Sequence, residues 1–341
     1  MELSRKLYAA LFPFGRHKQF KEQISNSLLL KLPSEVILDI ADCLPAHSQL
    51  VLGQTCRAMH HILQSRNQRN MRQISQWDYV DYLLSLTRND PDTWVCDNCL
   101  QCHRVHEWDT PSQPNWSRCP KPWEKVAITG HRQKEFRLAH RHVQLSLKYS
   151  RLGDGVLGRK HKRHLARLMR RHEQYGFLTF SPQSNTLSTV HAAFPKIVNG
   201  RYLVLHAWLY EKWITDVSQN SMGYLRPCRH QSFQPPAWWV LNISDFSRAI
   251  MYARDNPKTV YGTHCTSCGI DFEIVFSPES AIVKAFFDFG VEGSIDDVNW
   301  RASVFDFRRD PLLVKGPAAP QAPGSVRELY YSDCSKSPTK S

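Results

Sequence analysis

The chain has 341 residues, 42% of them hydrophobic and 22% charged, with a formal net charge of +13. Those proportions are near globular averages, so the length suits two or three domains around a sizeable core. No uninterrupted apolar run approaches the roughly 18 residues that cross a bilayer, and the opening MELSRKLYAALFPFGRHKQF is broken at Pro13, so neither a membrane span nor a secretory signal is expected. Glu2 and Glu22 also count against an acid-poor mitochondrial leader, which leaves the cytoplasm or nucleus as the expected location and no expected use for the sequons at Asn115 and Asn242.

Residues 1–29 read as a basic tail. The first organised stretch, LPSEVILDIADCLPAHSQLVLGQTCRAMHHIL from Leu32 to Leu63, reads as three short helices. Pro33 suits a first helical position, Glu35 favours the positive end of the helix dipole, and Val36, Ile37, Ile40, Cys43 and Leu44 fall on one side. Pro45 ends that run, Ser48 is placed to cap a second helix, and Thr55 to cap a third carrying Cys56, Met59, Ile62 and Leu63. Three such helices bury too little surface to offset chain entropy alone, so they need apolar cover from elsewhere. Periodicity by itself leaves open an ordinary helical hairpin packed into its own domain. The ordered L-P-x-E, L-P and T-C-R elements, however, resemble an F-box, here residues 30–66. Matching positions are Leu32, Pro33, Glu35, Val36, Ile40, Leu44, Pro45, Leu50, Leu52, Thr55, Cys56 and Arg57, with Met59 a departure. The resemblance implies docking to the adaptor subunit of an SCF-type (cullin-RING) ubiquitin ligase, and through it to the cullin scaffold. Its expected contact set is Leu32, Pro33, Glu35, Val36, Ile40, Leu44, Pro45, Leu50 and Leu52.

Residues 67–92 are expected to form a linker helix carrying Ile74, Trp77, Val80 and Leu84. From 93 to 310 the pattern turns β-rich. HVQLSLKY alternates Val143, Leu145, Leu147 and Tyr149 as a strand would, Asn199-Gly200 sits between two apolar runs as a hairpin turn, and TVYGTHCTSCGIDFEIVF places strand-like arms around a cysteine pair. The expected fold class is α+β: a small N-terminal three-helix module followed by a β-rich, zinc-stapled domain with inserted helices. Residues 311–341, rich in Pro, Gly, Ala, Ser and Lys, are expected to be a disordered tail.

Charge is concentrated between His131 and His172, where 13 Lys or Arg meet two acids, Glu135 and Asp154. GRKHKRHLARLMRRHEQ reads as a basic amphipathic helix with Leu165, Leu168, Met169 and His172 on one stripe. The basic patch is Arg159, Lys160, Lys162, Arg163, Arg167, Arg170 and Arg171. It could serve nuclear import, nucleic-acid contact or capture of an acidic substrate, or be no more than a solvated helix face.

Three cysteine pairs have the C-x-x-C spacing, Cys96/Cys99, Cys99/Cys102 and Cys265/Cys268, where chance would give roughly 0.3. Such a turn brings two thiolates to one tetrahedral ion, and a structural zinc site needs four donors. The leading expected set is Cys96, Cys99, Cys265 and Cys268, joining distant segments, with Cys102, His103, Cys119, Cys228 and His230 left for a second site. Buried thiols and disulfides are the competing readings, the latter disfavoured in a reducing compartment. Cys43 and Cys56 belong to helical apolar faces.

The order of elements also resembles a group of fungal F-box domain-containing proteins, on Leu32 to Glu35, W-V-C-D-N-C-x-x-C-H at Trp94 to His103, His142 to Gly153, Cys228 to His230, and Cys265 to Phe272. It implies a cysteine-bearing body of uncharacterised role. With no G-x-S-x-G turn, P-loop or His-Glu-x-x-His helix, the expected function is a non-catalytic substrate receptor for an unknown protein target. The rivals are a RING-like zinc ligase using Cys96, Cys99, Cys228, His230, Cys265 and Cys268, and a basic zinc-binding nucleic-acid-binding protein.

Overall fold

The computed structural model describes residues 27–96, 99–114, 119, 126–127, 136–179, 186–212, 222, 225–228, 230–233, 244–293, 297–303 and 321–332. Most of the expected N-terminal tail, both sequons and Cys334 lie outside them. The chain divides into two compact units, Met1–Tyr82 and Leu83–Ser341.

In the first unit a 3-10 turn, Leu29–Lys31, leads into α1 (Ser34–Asp42), α2 (Ala46–Thr55) and α3 (Arg57–Gln73). Pro33 and Pro45, both extended, stop the preceding segment and start the next helix. The third helix is capped by Cys56, whose Sγ accepts from Met59 N at 3.5 Å, rather than by Thr55, and Ser48 lies inside α2 rather than at its start. Ile37, Ala41, Leu50, Met59 and Leu63 form the interior. Gly53 permits close approach of α2 and α3, since a Cβ there would sit 2.0 Å from Asn67 Nδ2. Arg66 ties α3 back to α1, donating to Leu38 O at 2.8 Å and pairing with Asp42. The third helix runs beyond the boundary expected at residue 66 and ends at Gln73, after which α4 (Gln76–Thr87) starts under a Ser75 hydroxyl that accepts from Asp78 N.

The second unit is built on a six-stranded antiparallel sheet in the order β10-β11-β12-β7-β6-β5. Its strands are β5 (His172–Thr179), β6 (Thr186–Val198), β7 (Arg201–Lys212), β10 (Tyr261–His264), β11 (Asp271–Phe276) and β12 (Ser280–Val291). Asn199 and Gly200 turn β6 into β7 with φ of 50° and 72°, the left-handed pair that matches strand twist. The small hairpins β1 (Thr93–Cys96) with β2 (Gln101–Arg104), β3 (Val126–Ala127) with β4 (Leu138–Ala139), and β8 (Leu225–Cys228) with β9 (Gln231–Phe233) stand apart from this sheet. Helices α7 (Asp245–Asp255) and α8 (Val298–Ser303) complete the inserted set.

Two expectations are corrected here. HVQLSLKY is not a strand; it lies in α5 (His140–Val156), whose residues 141–149 are all buried. A helix buried on every side has no polar stripe to betray its period, so alternation of its apolar residues mimics a strand. Several of its polar residues are instead satisfied internally. Lys148 Nζ donates to the carbonyls of Thr87, Asp90 and Thr93 at 2.9, 3.2 and 2.8 Å, and Asp109 receives Arg141 Nη2 at 2.9 Å and His142 Nε2 at 3.3 Å. The expected disordered tail contains α9 (Ser325–Ser332). Val326 packs with Leu205 and Phe286, and the buried Asp271 carboxylate accepts from the amides of Gly324, Val326 and Arg327 at 2.8, 2.9 and 3.0 Å.

Burial pushes His142 down to about 4 and His191 down to about 3, and lowers His164 and His206 as well. These rings are neutral in the fold, whereas the unfolded chain protonates near 6.5, so the unfolded state binds more protons as pH falls below that value. Stability is expected to be full above about pH 6.5 and to drop by a few kcal/mol toward about pH 4; an unchanged urea midpoint across that range would contradict this. Asp271→Ala should cost about 2 kcal/mol and expose the Val326 amide to hydrogen exchange, because three helix-end donors lose their acceptor.

Candidate docking face and metal centres

Helix α1 buries Ile37 and Ala41 and leaves Val36 and Ile40, one turn apart, 40% and 39% exposed. Leu32 at 38% and Leu29 at 37% add to this apolar surface, and Leu28 stands 80% exposed. Pro33, Glu35 and Pro45 are exposed and Leu44 and Leu52 are half-buried. Leu50 differs from expectation: at 3% exposure it belongs to the interior with Ile37, Ala41, Met59 and Leu63. Leu28 and Leu29 were not singled out by sequence reasoning, although the run Leu28-Leu29-Leu30 ahead of the first helix was the available signal.

Eight of the nine candidate donors in the second unit gather into two groups, Cys96, Cys99, His103 and Cys119, and Cys228, His230, Cys265 and Cys268. In each group one ligand atom per residue lies within 4.8 Å of the others. The expected joint set of Cys96, Cys99, Cys265 and Cys268 is therefore not assembled: each C-x-x-C turn finds its partners nearby. In the first centre, β1 delivers Cys96, a turn closed by Leu100 N to Cys96 O at 2.9 Å delivers Cys99, and β2 returns His103. Cys96 Sγ lies 3.7 Å from Cys119 Sγ, close to the roughly 3.8 Å edge of a tetrahedron with 2.3 Å metal–sulfur bonds. Cys99 Sγ lies 3.0 Å from His103 Nε2. Cys96 also packs with Trp94, Leu145, Tyr149, Leu157 and Leu168, which seats the centre against α5 and α6 (Arg159–Leu168). Cys102 is excluded: β2 alternation turns it away from the group, and burial pushes its thiol up to about 11.

The second centre joins the turn after β8 to the tip of the β10–β11 hairpin. Gly269, at φ 65°, closes the Cys265–Cys268 turn, with Gly269 N to Cys265 O and Cys265 N to Ile270 O both at 2.8 Å. Hydrogen bonds from Cys228 and Cys268 hold the Cys265 thiol well below its ordinary range, while burial raises Cys228 and the bond with Cys228 raises Cys268. Three thiols crowded together share protons in this way unless a cation neutralises them all, so the donor chemistry fits a metal ion. Four protein donors close a tetrahedral sphere and leave no position for a reacting water. The two donor sets follow one another along the chain instead of alternating, which departs from the interleaved arrangement of a RING-like site.

The basic helix α6 buries His161, His164 and Leu168, so its inward stripe is largely histidine, and His172 belongs to β5 instead. Of the seven patch cations, Lys160 pairs with Asp92 at 2.6 Å, Lys162 with Asp154 at 2.8 Å and Arg171 with Glu173. Arg167 lies 3.8 Å from Glu107 and 3.8 Å over the Trp108 ring. Arg159, Arg163 and Arg170 are exposed and make no ion pair among the described residues.

No helix among the described residues is long and apolar enough to cross a membrane. No curated protein and no solved structure matches the chain. Residues 29–70, spanning the 3-10 turn and most of the three helices just described, match the F-box domain, and the chain therefore carries an F-box domain.

Proposed function

We propose that this protein is the non-catalytic substrate-receptor subunit of an SCF-type ubiquitin ligase, working in the cytoplasm or nucleus. Its F-box docks the adaptor, which connects it to the cullin scaffold, and the β-rich unit recruits a target protein. The observation that carries this reading is the apolar surface of Leu29, Leu32, Val36 and Ile40, left open within the stretch that matches the F-box domain. Covering these side chains removes apolar area from water, and a few such residues dominate interfaces of this kind. The receptor contributes proximity rather than chemistry, holding a target lysine near the loaded conjugating enzyme.

In the same reading both centres hold structural zinc, each through three cysteines and one histidine. The ions would fix the β1–β2 knuckle and the β10–β11 tip. Sequential ligand order favours this receptor over the RING-like alternative.

Val36→Asp and Ile40→Asp are each expected to weaken adaptor capture by about 2 kcal/mol or more while the thermal transition stays in place, and Leu50→Asp should unfold the first unit. Capture by isothermal titration that is insensitive to both surface changes would refute adaptor docking here. Elemental analysis should find two zinc ions per chain, with Cys99→Ser removing one and Cys268→Ser the other. A single ion per chain, abolished by either substitution alone, would instead restore the joint set.

A further inference from the structure

We infer that the outer face of α6 is a docking surface for an acidic, Asp/Glu-rich protein segment. Seven cations lie on or beside this helix and four carboxylates, Asp92, Glu107, Asp154 and Glu173, neutralise four of them. The three left without a carboxylate among the described residues are Arg159, Arg163 and Arg170. At about 100° per residue Arg159 and Arg163 fall within about 40° of each other, opposite the buried His161, His164 and Leu168, and Arg170 follows just past the end of the helix. The closing turn keeps Arg170 next to the helix end, with Met169 N bonded to Leu165 O at 2.9 Å and Arg170 N to Arg167 O at 3.2 Å.

The stripe is about 16 Å long, which matches about five residues of extended chain. Guanidinium groups grip carboxylates in bidentate pairs, and three in a row offer register as well as charge. Buried His161 holds its helix to Asp92 at 3.0 Å and His164 to Asp109 O at 2.9 Å, so the scaffold beneath the stripe is fixed. An acidic peptide fits better than a nucleic acid, because residues 159–170 carry no Phe, Tyr or Trp to stack bases and the exposed Trp108 ring already has one face covered by Arg167. The biological meaning of the surface, a class of target, rests on the receptor reading; the binding itself does not.

The test uses the full chain and a fluorescein-labelled, glutamate-rich peptide read by anisotropy at physiological salt. Its controls are the same peptide with glutamine for glutamate and a single-stranded oligonucleotide of equal charge. The expected result is binding of the acidic peptide only, weakened at least about tenfold by Arg159→Gln/Arg163→Gln/Arg170→Gln. Lys160→Gln/Lys162→Gln, which removes cations already paired, should change it less than about twofold. Equal losses from both variants, no binding of the acidic peptide, or tighter binding of the oligonucleotide would each overturn the inference. Adaptor capture measured on the same proteins separates the two readings: its failure alone would sink the receptor and leave the stripe standing.

Discussion

The buried Asp109 carboxylate is the constraint on which the second unit's architecture turns. It is 5% exposed and takes hydrogen bonds from Arg141 and His142 of α5, while its carbonyl receives His164 of α6. Burial pushes the carboxyl up, but the Arg141 and His142 bonds outweigh it and hold the group well below the usual carboxylate range. His142 accepts from Ala139 N at 3.1 Å through Nδ1, so its Nε2 is the protonated nitrogen facing Asp109. One ionised side chain thus sets the tautomer of a neighbour and fixes two helices to the loop after β2. Replacing such a pair with apolar side chains can be neutral, but removing one member strands the other charge, at about 3–5 kcal/mol. The network therefore speaks for a specific arrangement of α5 and α6 more than for stability as such.

The first metal centre shares this neighbourhood. Cys96 packs with Leu145 and Tyr149 of α5, and Val95 N donates to Gln144 Oε1 at 2.9 Å, so the knuckle and the helix are joined by apolar and polar contacts together. The second centre lies at the far end of the sheet order, on the β10–β11 edge. Short hairpins and turns bury little surface of their own, and four-donor ligation of an ion at each group would supply what packing lacks. Where the chain forms long strands, as in β6, β7 and β12, there is no donor group among the described residues.

Sequence carried the local parts of this structure well. The helices of the F-box and the Asn199-Gly200 turn are short-range patterns, and each is present, as is the basic helix α6, although its buried side is His161, His164 and Leu168 rather than the expected Leu165, Leu168, Met169 and His172. All eight residues of the two candidate groups are among those that spacing and chemistry single out. Their partition was not legible, since Cys119 meets Cys96, and Cys228 meets Cys265, only through folding of intervening chain. Helix α5 was misread because burial on all sides erased its amphipathic stripe, and α9 because its main support, Asp271, comes from a strand more than fifty residues upstream. Leu50 was taken for an interface residue because sequence does not distinguish an apolar side chain turned inward from one turned outward on so small a module.

The arginine stripe has one more chemical property. The three cations without an ion pair among the described residues are all guanidinium groups, whereas the two lysines of the same helix, Lys160 and Lys162, are each tied to a carboxylate. A guanidinium stays protonated and is not acylated by a thioester, while a lysine amine is the group that accepts ubiquitin. The stripe itself is therefore composed of fixed charges that carry no acylable amine, and the two lysines beside it are each engaged by a carboxylate.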